Sequence, residues 1–314
     1  MKKNTIVVYQ EGRIPCFRVK ERHIKRLRAG LVDSDIIWCR TLEQYLEALP
    51  LADSVLSWQF KQEWFDRAPH LRKIGSPAAG RDLFEITALP EHIEIMNGTF
   101  HGAIMAETIV GMLLAVNRGI LSAYKAQLEG DLWPNEPLFE IGLIAGSHAV
   151  IVGFGRIGQY VSRMLKPFGV RITGIRRSLP VADPDWFESG DSIQQPDKLH
   201  ELLADADHVI MLLPSDTDTD NFMGKREFEC MPQNAVIYNF GRGNSIDEIA
   251  LADALRAGTI KGACLDVFAE EPLLESSPLS DGTLPGLVRM PHSSAFCESY
   301  IDRFIDEVIE WFRE

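Results

Sequence analysis

The fold of this chain is decided by the stretch His148-Ala149-Val150-Ile151-Val152-Gly153-Phe154-Gly155-Arg156-Ile157-Gly158. An apolar run of strand length leads into G-x-G-x-x-G, and a helical pattern of Ile157, Tyr160, Val161, Met164 and Leu165 follows. That order of strand, tight turn and helix gives the glycines a physical reading as a dinucleotide site. Gly153 permits the turn, Gly155 lets the backbone approach a pyrophosphate, and Gly158 lets the helix pack on the strand. The helix N-terminus then faces the anion, so Phe154, Arg156 and Ile157 are read with the glycines as cofactor-binding.

The next apolar run, Val170 to Ile175, predicts the strand whose carboxyl end meets the adenosine ribose, about 20 residues beyond the glycines. A carboxylate there would accept bonds from a free 2′-hydroxyl. Arg176, Arg177 and Ser178 stand in that place instead. A guanidinium fork matches phosphate oxygens, so the strand end favours NADPH over NADH.

Outward from this centre, short β-like runs alternate with helical patterns on both sides. Before it come strands near Thr5–Tyr9, Asp35–Cys39, Ser54–Ser57, Lys73–Ile74 and Ile93–Met96, with helices near Val19–Ala29 and Leu42–Ala48. A proline-free helical stretch runs from about His101 to Leu128 and ends at Asp131-Leu132-Trp133-Pro134. After the centre come strands near His208–Leu213, Ala235–Asn239, Gly262–Asp266 and Leu287–Met290, with a helix at Asp247–Ala257 stopped by Gly258. The pattern predicts an α/β protein with parallel sheets. The one-sided helix Ser299–Arg313 should return to the first domain. Two Rossmann-like domains are expected, a dinucleotide-binding domain at 98–290 inserted into a discontinuous, flavodoxin-like substrate domain at 1–97 and 291–314.

At 314 residues the chain has room for two such cores. A formal charge of −13 argues against nucleic acid or an acidic membrane surface as partner, which makes the arginine pairs local anion sites. Five scattered cysteines without C-x-x-C spacing point to a reducing compartment and to no metal site. No signal peptide or bilayer-length apolar run is read, and a cytoplasmic location is expected.

Three charged positions fall after strands of the second block: Arg242 in Asn239-Phe240-Gly241-Arg242-Gly243, Glu271 in Leu265-Asp266-Val267-Phe268-Ala269-Glu270-Glu271-Pro272, and His292 in Pro291-His292-Ser293-Ser294. Together they fit ketone reduction beside a nicotinamide. Hydride reaching a carbonyl carbon leaves an oxyanion that needs a proton, and histidine titrates near neutrality. A carboxylate on the far ring nitrogen favours the imidazolium, and an arginine holds a substrate carboxylate and polarises the carbonyl.

With these motifs in their order, the chain resembles the D-isomer-specific 2-hydroxyacid dehydrogenase family over nearly its whole length. The resemblance implies Arg242 as substrate anchor, His292 as acid and base, and Glu271 as its partner. It further implies Asp266 near the nicotinamide amide, Leu213, Pro214, Phe240 and Gly241 along the cofactor, and Thr108 approaching the nicotinamide. Ser76-Pro77-Ala78-Ala79-Gly80-Arg81-Asp82 resembles the family's substrate loop, which implies carboxylate contacts from Ala78, Ala79 and Gly80, with Trp58 beside them. Ala78 stands where a glycine is common, and Pro77 offers no N–H donor. The segment Met105-Ala106-Glu107-Thr108 resembles one that supplies homodimer contacts. The expected activity is reduction of a small 2-oxoacid, glyoxylate or hydroxypyruvate-like, by NADPH to a D-2-hydroxy acid. The alternative is a dinucleotide-sensing binding protein of the corepressor type. Formate oxidation is disfavoured by Glu271, where an amide would be expected.

Overall fold

The structure is a computed structural model that describes residues 3–12, 14–80, 84–131, 133 and 141–313. Arg81 and Asp82 of the expected substrate loop, and Leu132 and Pro134 of the expected helix stop, lie outside the described residues.

The chain divides into two compact units, Met1–His101 with Phe296–Glu314, and Gly102–Ala295. In the first, β1 (Asn4–Tyr9), β2 (Ser34–Trp38), β3 (Ser54–Ser57), β5 (Lys73–Ser76) and β7 (Glu94–Asn97) form a parallel sheet in the order β2-β1-β3-β5-β7. Counting those five alone, the order is 2-1-3-4-5, the flavodoxin-like arrangement. The short β4 (Phe60–Lys61) and β6 (Phe84–Glu85) pair separately. Ile6, Val7 and Val8 are wholly buried, because a central strand of a parallel sheet has layers on both faces. Helix α1 (Glu21–Gly30) begins two residues later than its apolar pattern suggests. Lys20 is extended there and its N–H donates to His23 Nδ1 at 2.9 Å, which ends the preceding loop. Helix α2 (Leu42–Ala48) is capped by Thr41, whose hydroxyl accepts from the Gln44 N–H.

The second unit holds a seven-stranded parallel sheet: β8 (His148–Val152), β9 (Arg171–Ile175), β10 (Ser192–Gln194), β11 (His208–Met211), β12 (Val236–Asn239), β13 (Gly262–Leu265) and β14 (Leu287–Arg289). Its order, β10-β9-β8-β11-β12-β13-β14, is the doubly wound arrangement whose switch point lies between β8 and β11. The long helical stretch breaks into α3 (His101–Asn117) and α4 (Ile120–Leu128), because Gly119 takes a left-handed φ of 64°. Helix α5 (Arg156–Leu165) follows the glycine loop, and α6 (Leu199–Leu203) and α7 (Lys225–Cys230) are short crossovers. Asp247 caps α8 (Glu248–Ala257) by accepting from the N–H groups of Ile249 and Ala250, and Gly258 closes it at φ 66°. The chain then returns to the first unit in α9 (Tyr300–Trp311), whose buried face is Tyr300, Ile301, Phe304, Ile305, Val308 and Ile309. A Cβ on Gly30 would meet Ile309 Cδ1 at 2.6 Å, so α1 and α9 pack closely at that glycine.

The unit boundaries differ from those expected at 97/98 and 290/291. The turn carrying His292 belongs with the second unit, because Asp266 and Thr108 bond to its backbone and hold it there. No single helix among the described residues is long and apolar enough to cross a membrane.

Candidate active site

The cofactor-facing end of the second unit is built from backbone that only glycine permits. Gly153 has φ 95°, and a Cβ there would sit 2.7 Å from Leu212 C and O. A Cβ on Gly241 would sit 2.5 Å from Leu213 O. The ends of β8, β11 and β12 therefore close on one another at the switch point, where open α/β sheets bind ligands. Gly158 packs helix on strand, its Cβ position 3.1 Å from Gly153 O and 3.2 Å from Ile151 Cγ2. Gly155 differs: nothing lies within 4 Å of its Cβ position, and among the described residues no side chain caps α5 at this end. Open space in front of uncapped helical N–H groups is what a pyrophosphate requires. Arg156 is exposed and Ile157 half-buried beside it.

The side chains of two residues expected along the cofactor face the core. Phe154 is wholly buried with its ring over Gly174, where a Cβ would meet Phe154 Cγ at 2.3 Å. Phe240 is 2% exposed and belongs to the same core. Both side chains hold the loops from behind. Leu213 is half-buried and Pro214 exposed at the end of β11.

At the end of β9, Arg176 is half-buried, while Arg177 and Ser178 are exposed. The Arg176 N–H donates to Gln194 O at 3.1 Å, and Gln195 Nε2 donates to Arg177 O at 2.9 Å, which fixes this backbone against the next strand. Arg177 Nη1 lies 3.9 Å from Asp218 Oδ2 between two exposed side chains, a pairing of little weight in water.

Arg242, Glu271 and His292 all lie in the second unit. Arg242 follows β12, and its carbonyl accepts from Ser245 Oγ at 2.7 Å and Asn239 Nδ2 at 3.1 Å. Gly243 passes so close to the Phe268 backbone that a Cβ would overlap its carbonyl carbon. His292 Nδ1 lies 2.8 Å from Glu271 Oε2, and the Phe268 N–H donates to Glu271 Oε1 at 3.0 Å. A carboxylate partner fixes the N–H on Nδ1 and leaves Nε2 to exchange a proton with a ligand. The hydrogen bond to Glu271 raises the His292 pKa above its usual 6.5, and it outweighs burial. Burial works to raise the Glu271 carboxyl, but the bonds from His292 and the Phe268 N–H prevail and hold it below the ordinary carboxylate value. Arg242 is near enough to act on both charges. One side of the pair opens on a cavity of about 620 Å³ walled by Phe268, Leu273, Met290 and Arg289.

His292 itself has φ 51°, a left-handed conformation uncommon outside glycine and held only where surroundings dictate it. Asp266 dictates it. Its side chain is wholly buried, and its two oxygens accept from the N–H groups of Ser293 at 2.7 Å and Ser294 at 2.9 Å. Asp266, expected near a nicotinamide amide, anchors the histidine turn. Thr108 is likewise engaged, its hydroxyl donating to Ser294 O at 3.0 Å. Sequence reasoning misses Glu248, which accepts from the Ala269 N–H at 2.9 Å and Ser277 Oγ at 2.8 Å and so steadies the loop before Glu271. An acid in the first turn of α8 is its only signal in the sequence.

In the first unit the Ala78 N–H donates to Ser76 Oγ at 3.3 Å, Ala79 is exposed and Gly80 half-buried. Trp58 is half-buried, its indole N–H donating to Phe17 O at 3.2 Å and its carbonyl accepting from Ser76 Oγ at 3.4 Å. It packs on Phe17 and Tyr300.

The sequence profile for the D-isomer specific 2-hydroxyacid dehydrogenase NAD binding domain matches residues 110–294. A glyoxylate reductase of Thermococcus gammatolerans is 34% identical over 250 residues, covering 76% of this chain and 71% of that protein. A D-3-phosphoglycerate dehydrogenase of Methanocaldococcus jannaschii is 32% identical over 82% of this chain, which spans about half of that protein's length, 48%. Among solved structures, a probable 2-hydroxyacid dehydrogenase from Rhizobium etli, in complex with NADP, HEPES and L(+)-tartaric acid, is 25% identical. It superposes with TM-score 0.78 over 100% of this chain and 95% of that one. With the doubly wound nucleotide fold, the glycine loop at its switch point and a paired histidine and carboxylate in one unit, the chain belongs to the D-isomer specific 2-hydroxyacid dehydrogenase family of NAD(P)-dependent oxidoreductases.

Proposed function

We propose that the chain reduces a small 2-oxoacid, glyoxylate or hydroxypyruvate-like, to a D-2-hydroxy acid with NADPH as the preferred reductant. The observation that carries this reading is the 2.8 Å contact of His292 Nδ1 with Glu271 Oε2, which supplies a proton donor with an elevated pKa. A bound nicotinamide would supply the hydride for the carbonyl carbon. Arg242 binds the substrate carboxylate and polarises the carbonyl. In the first unit, the N–H groups of Ala79 and Gly80 are read as carboxylate donors. As negative charge gathers on the carbonyl oxygen, His292 Nε2 gives up its proton to form the hydroxyl. Glu271 stabilises the imidazolium before that transfer, and solvent restores the proton afterwards.

The preference for NADPH is supported by Arg176, Arg177 and Ser178 at the end of β9, where a 2′-phosphate would meet guanidinium groups and a hydroxyl. Glyoxylate as substrate is supported by the name of the Thermococcus relative. Self-association as a homodimer is supported by apolar residues exposed on α4, Ile120 at 56%, Tyr124 at 58% and Leu128 at 68%. Five free cysteines support a reducing, cytoplasmic setting.

The test is a panel of 2-oxoacids, including glyoxylate, hydroxypyruvate, pyruvate and phenylpyruvate, each with NADPH and with NADH, followed by nicotinamide absorbance and chiral analysis of product. Turnover of glyoxylate or hydroxypyruvate, faster with NADPH and giving the D product where the carbon is chiral, is expected. No turnover of any 2-oxoacid, with NADPH-dependent capture of peptides, would contradict it and support the sensing role.

A further inference from the structure

The chain leaves the first unit after His101 and re-enters it at Phe296, and the two passages are joined by one buried hydrogen bond. His101 is 4% exposed and Tyr300 is 3% exposed. His101 Nε2 lies 2.8 Å from the Tyr300 hydroxyl, and that hydroxyl donates to Pro77 O at 3.1 Å. The other ring nitrogen, Nδ1, lies 3.2 Å from Gly98 O. The Tyr300 ring is fixed in turn by Phe17 at 4.7 Å, Phe100 at 4.8 Å and Trp58 at 5.8 Å between centroids.

What the pair holds is one peptide plane. In a trans peptide the C=O and the following N–H point to opposite sides. Fixing Pro77 O on Tyr300 therefore fixes the direction of the Ala78 N–H. The next plane is fixed in the same way, since Ala78 O accepts from the Gly98 N–H at 3.1 Å and Asn97 Nδ2 at 3.3 Å, which sets the Ala79 N–H. Asn97 Nδ2 also donates to Gly80 O at 2.8 Å. Gly98 leaves room for this convergence, as a Cβ there would meet Pro77 O at 2.7 Å.

We propose that His101 and Tyr300 are positioning residues for substrate binding: they hold the Pro77–Ala78 peptide, whose N–H donates to Ser76 Oγ, so that the loop beyond it presents the Ala79 and Gly80 N–H groups to the substrate carboxylate. The inference rests on the reading of that loop as a carboxylate site. Neither residue touches substrate, and the effect passes through the carbonyl of Pro77.

Tyr300→Phe keeps the ring and deletes the one hydroxyl. In the full chain it should raise KM for glyoxylate and the inhibition constant of oxalate by about three- to tenfold, the scale of one lost hydrogen bond. Turnover number and NADPH affinity should stay near the wild-type values. His101→Leu should act in the same direction. A purely structural role would lower the melting temperature and leave both constants within about twofold of wild type, which overturns the proposal. Ala79→Pro separates the two layers. It removes an N–H of the loop without touching Tyr300, so a raised oxalate constant there with none in Tyr300→Phe refutes the positioning pair alone. An Ala79→Pro chain with unchanged constants refutes the carboxylate loop itself, and the positioning role with it.

Discussion

His292 Nδ1 lies 2.8 Å from Glu271 Oε2 while the backbone of His292 is held at φ 51° by the bonds that the Ser293 and Ser294 N–H groups donate to Asp266. A rigid turn and a carboxylate partner thus act on the same imidazole, one fixing its place and the other its proton. The chemistry of the site follows from both.

Reduction needs the imidazolium, so its rate should fall as pH rises through the His292 pKa, which lies above the usual 6.5. Glu271→Gln removes the largest cause of that elevation. The falling limb of kcat/KM for 2-oxoacid reduction should move to lower pH, with a greater loss at pH 8 than at pH 6. A limb that stays in place would separate Glu271 from the proton donor.

The glycines of the loop should fail in different ways. Gly153→Ala forces a Cβ within 2.7 Å of Leu212 at a left-handed φ, and should destabilise the protein by roughly 2 kcal/mol or more. Gly155→Ala meets nothing within 4 Å, so its melting temperature should match wild type while NADPH binding weakens about tenfold or more. Thermal melts and NADPH titration of both variants check this, and unweakened binding in Gly155→Ala would place the pyrophosphate elsewhere.

Arg176→Asp exchanges a guanidinium for a charge that repels a 2′-phosphate. A lost charged hydrogen bond is worth about 1.5–3 kcal/mol, so the NADPH to NADH ratio of kcat/KM should fall at least tenfold. An unchanged ratio would remove the 2′-phosphate from this strand end.

His208, 3% exposed at the start of β11, has no partner for either ring nitrogen among the described residues. Burial lowers its pKa from 6.5 to about 4. Above pH 6.5 it is neutral both folded and unfolded. As pH falls below 6.5 the unfolded chain takes the proton first, so the group's contribution is lost between pH 6.5 and about 4. Each pH unit of that window costs about 1.4 kcal/mol, so the whole loss is roughly 3 kcal/mol. In urea melts at pH 7 and pH 4.5, His208→Phe should lose less stability than wild type, and equal losses would contradict the assignment.

Much of this was legible in the sequence because it is local. The strand at His148–Val152, the helix at Leu42–Ala48, the turn at Gly153 and the close packing at Gly158 follow from spacing along a few residues. The contacts that the sequence does not announce depend on partners far along the chain. Phe154 reads as a loop residue until Gly174 opens a space for its ring. The anchoring role of Asp266 shows only when Ser293 and Ser294 are folded against it. Strand β10, three half-buried residues, has too little alternation to stand out. The bond between His101 and Tyr300 spans 199 positions, and no pattern within either segment announces it.

The central claim is that His292 donates the proton in a nicotinamide-dependent reduction, and steady-state NADPH oxidation by His292→Ala with saturating glyoxylate tests it most directly. The variant should bind NADPH as wild type does and lose about 10²–10⁴-fold in turnover. Turnover within a few-fold of wild type would contradict the account.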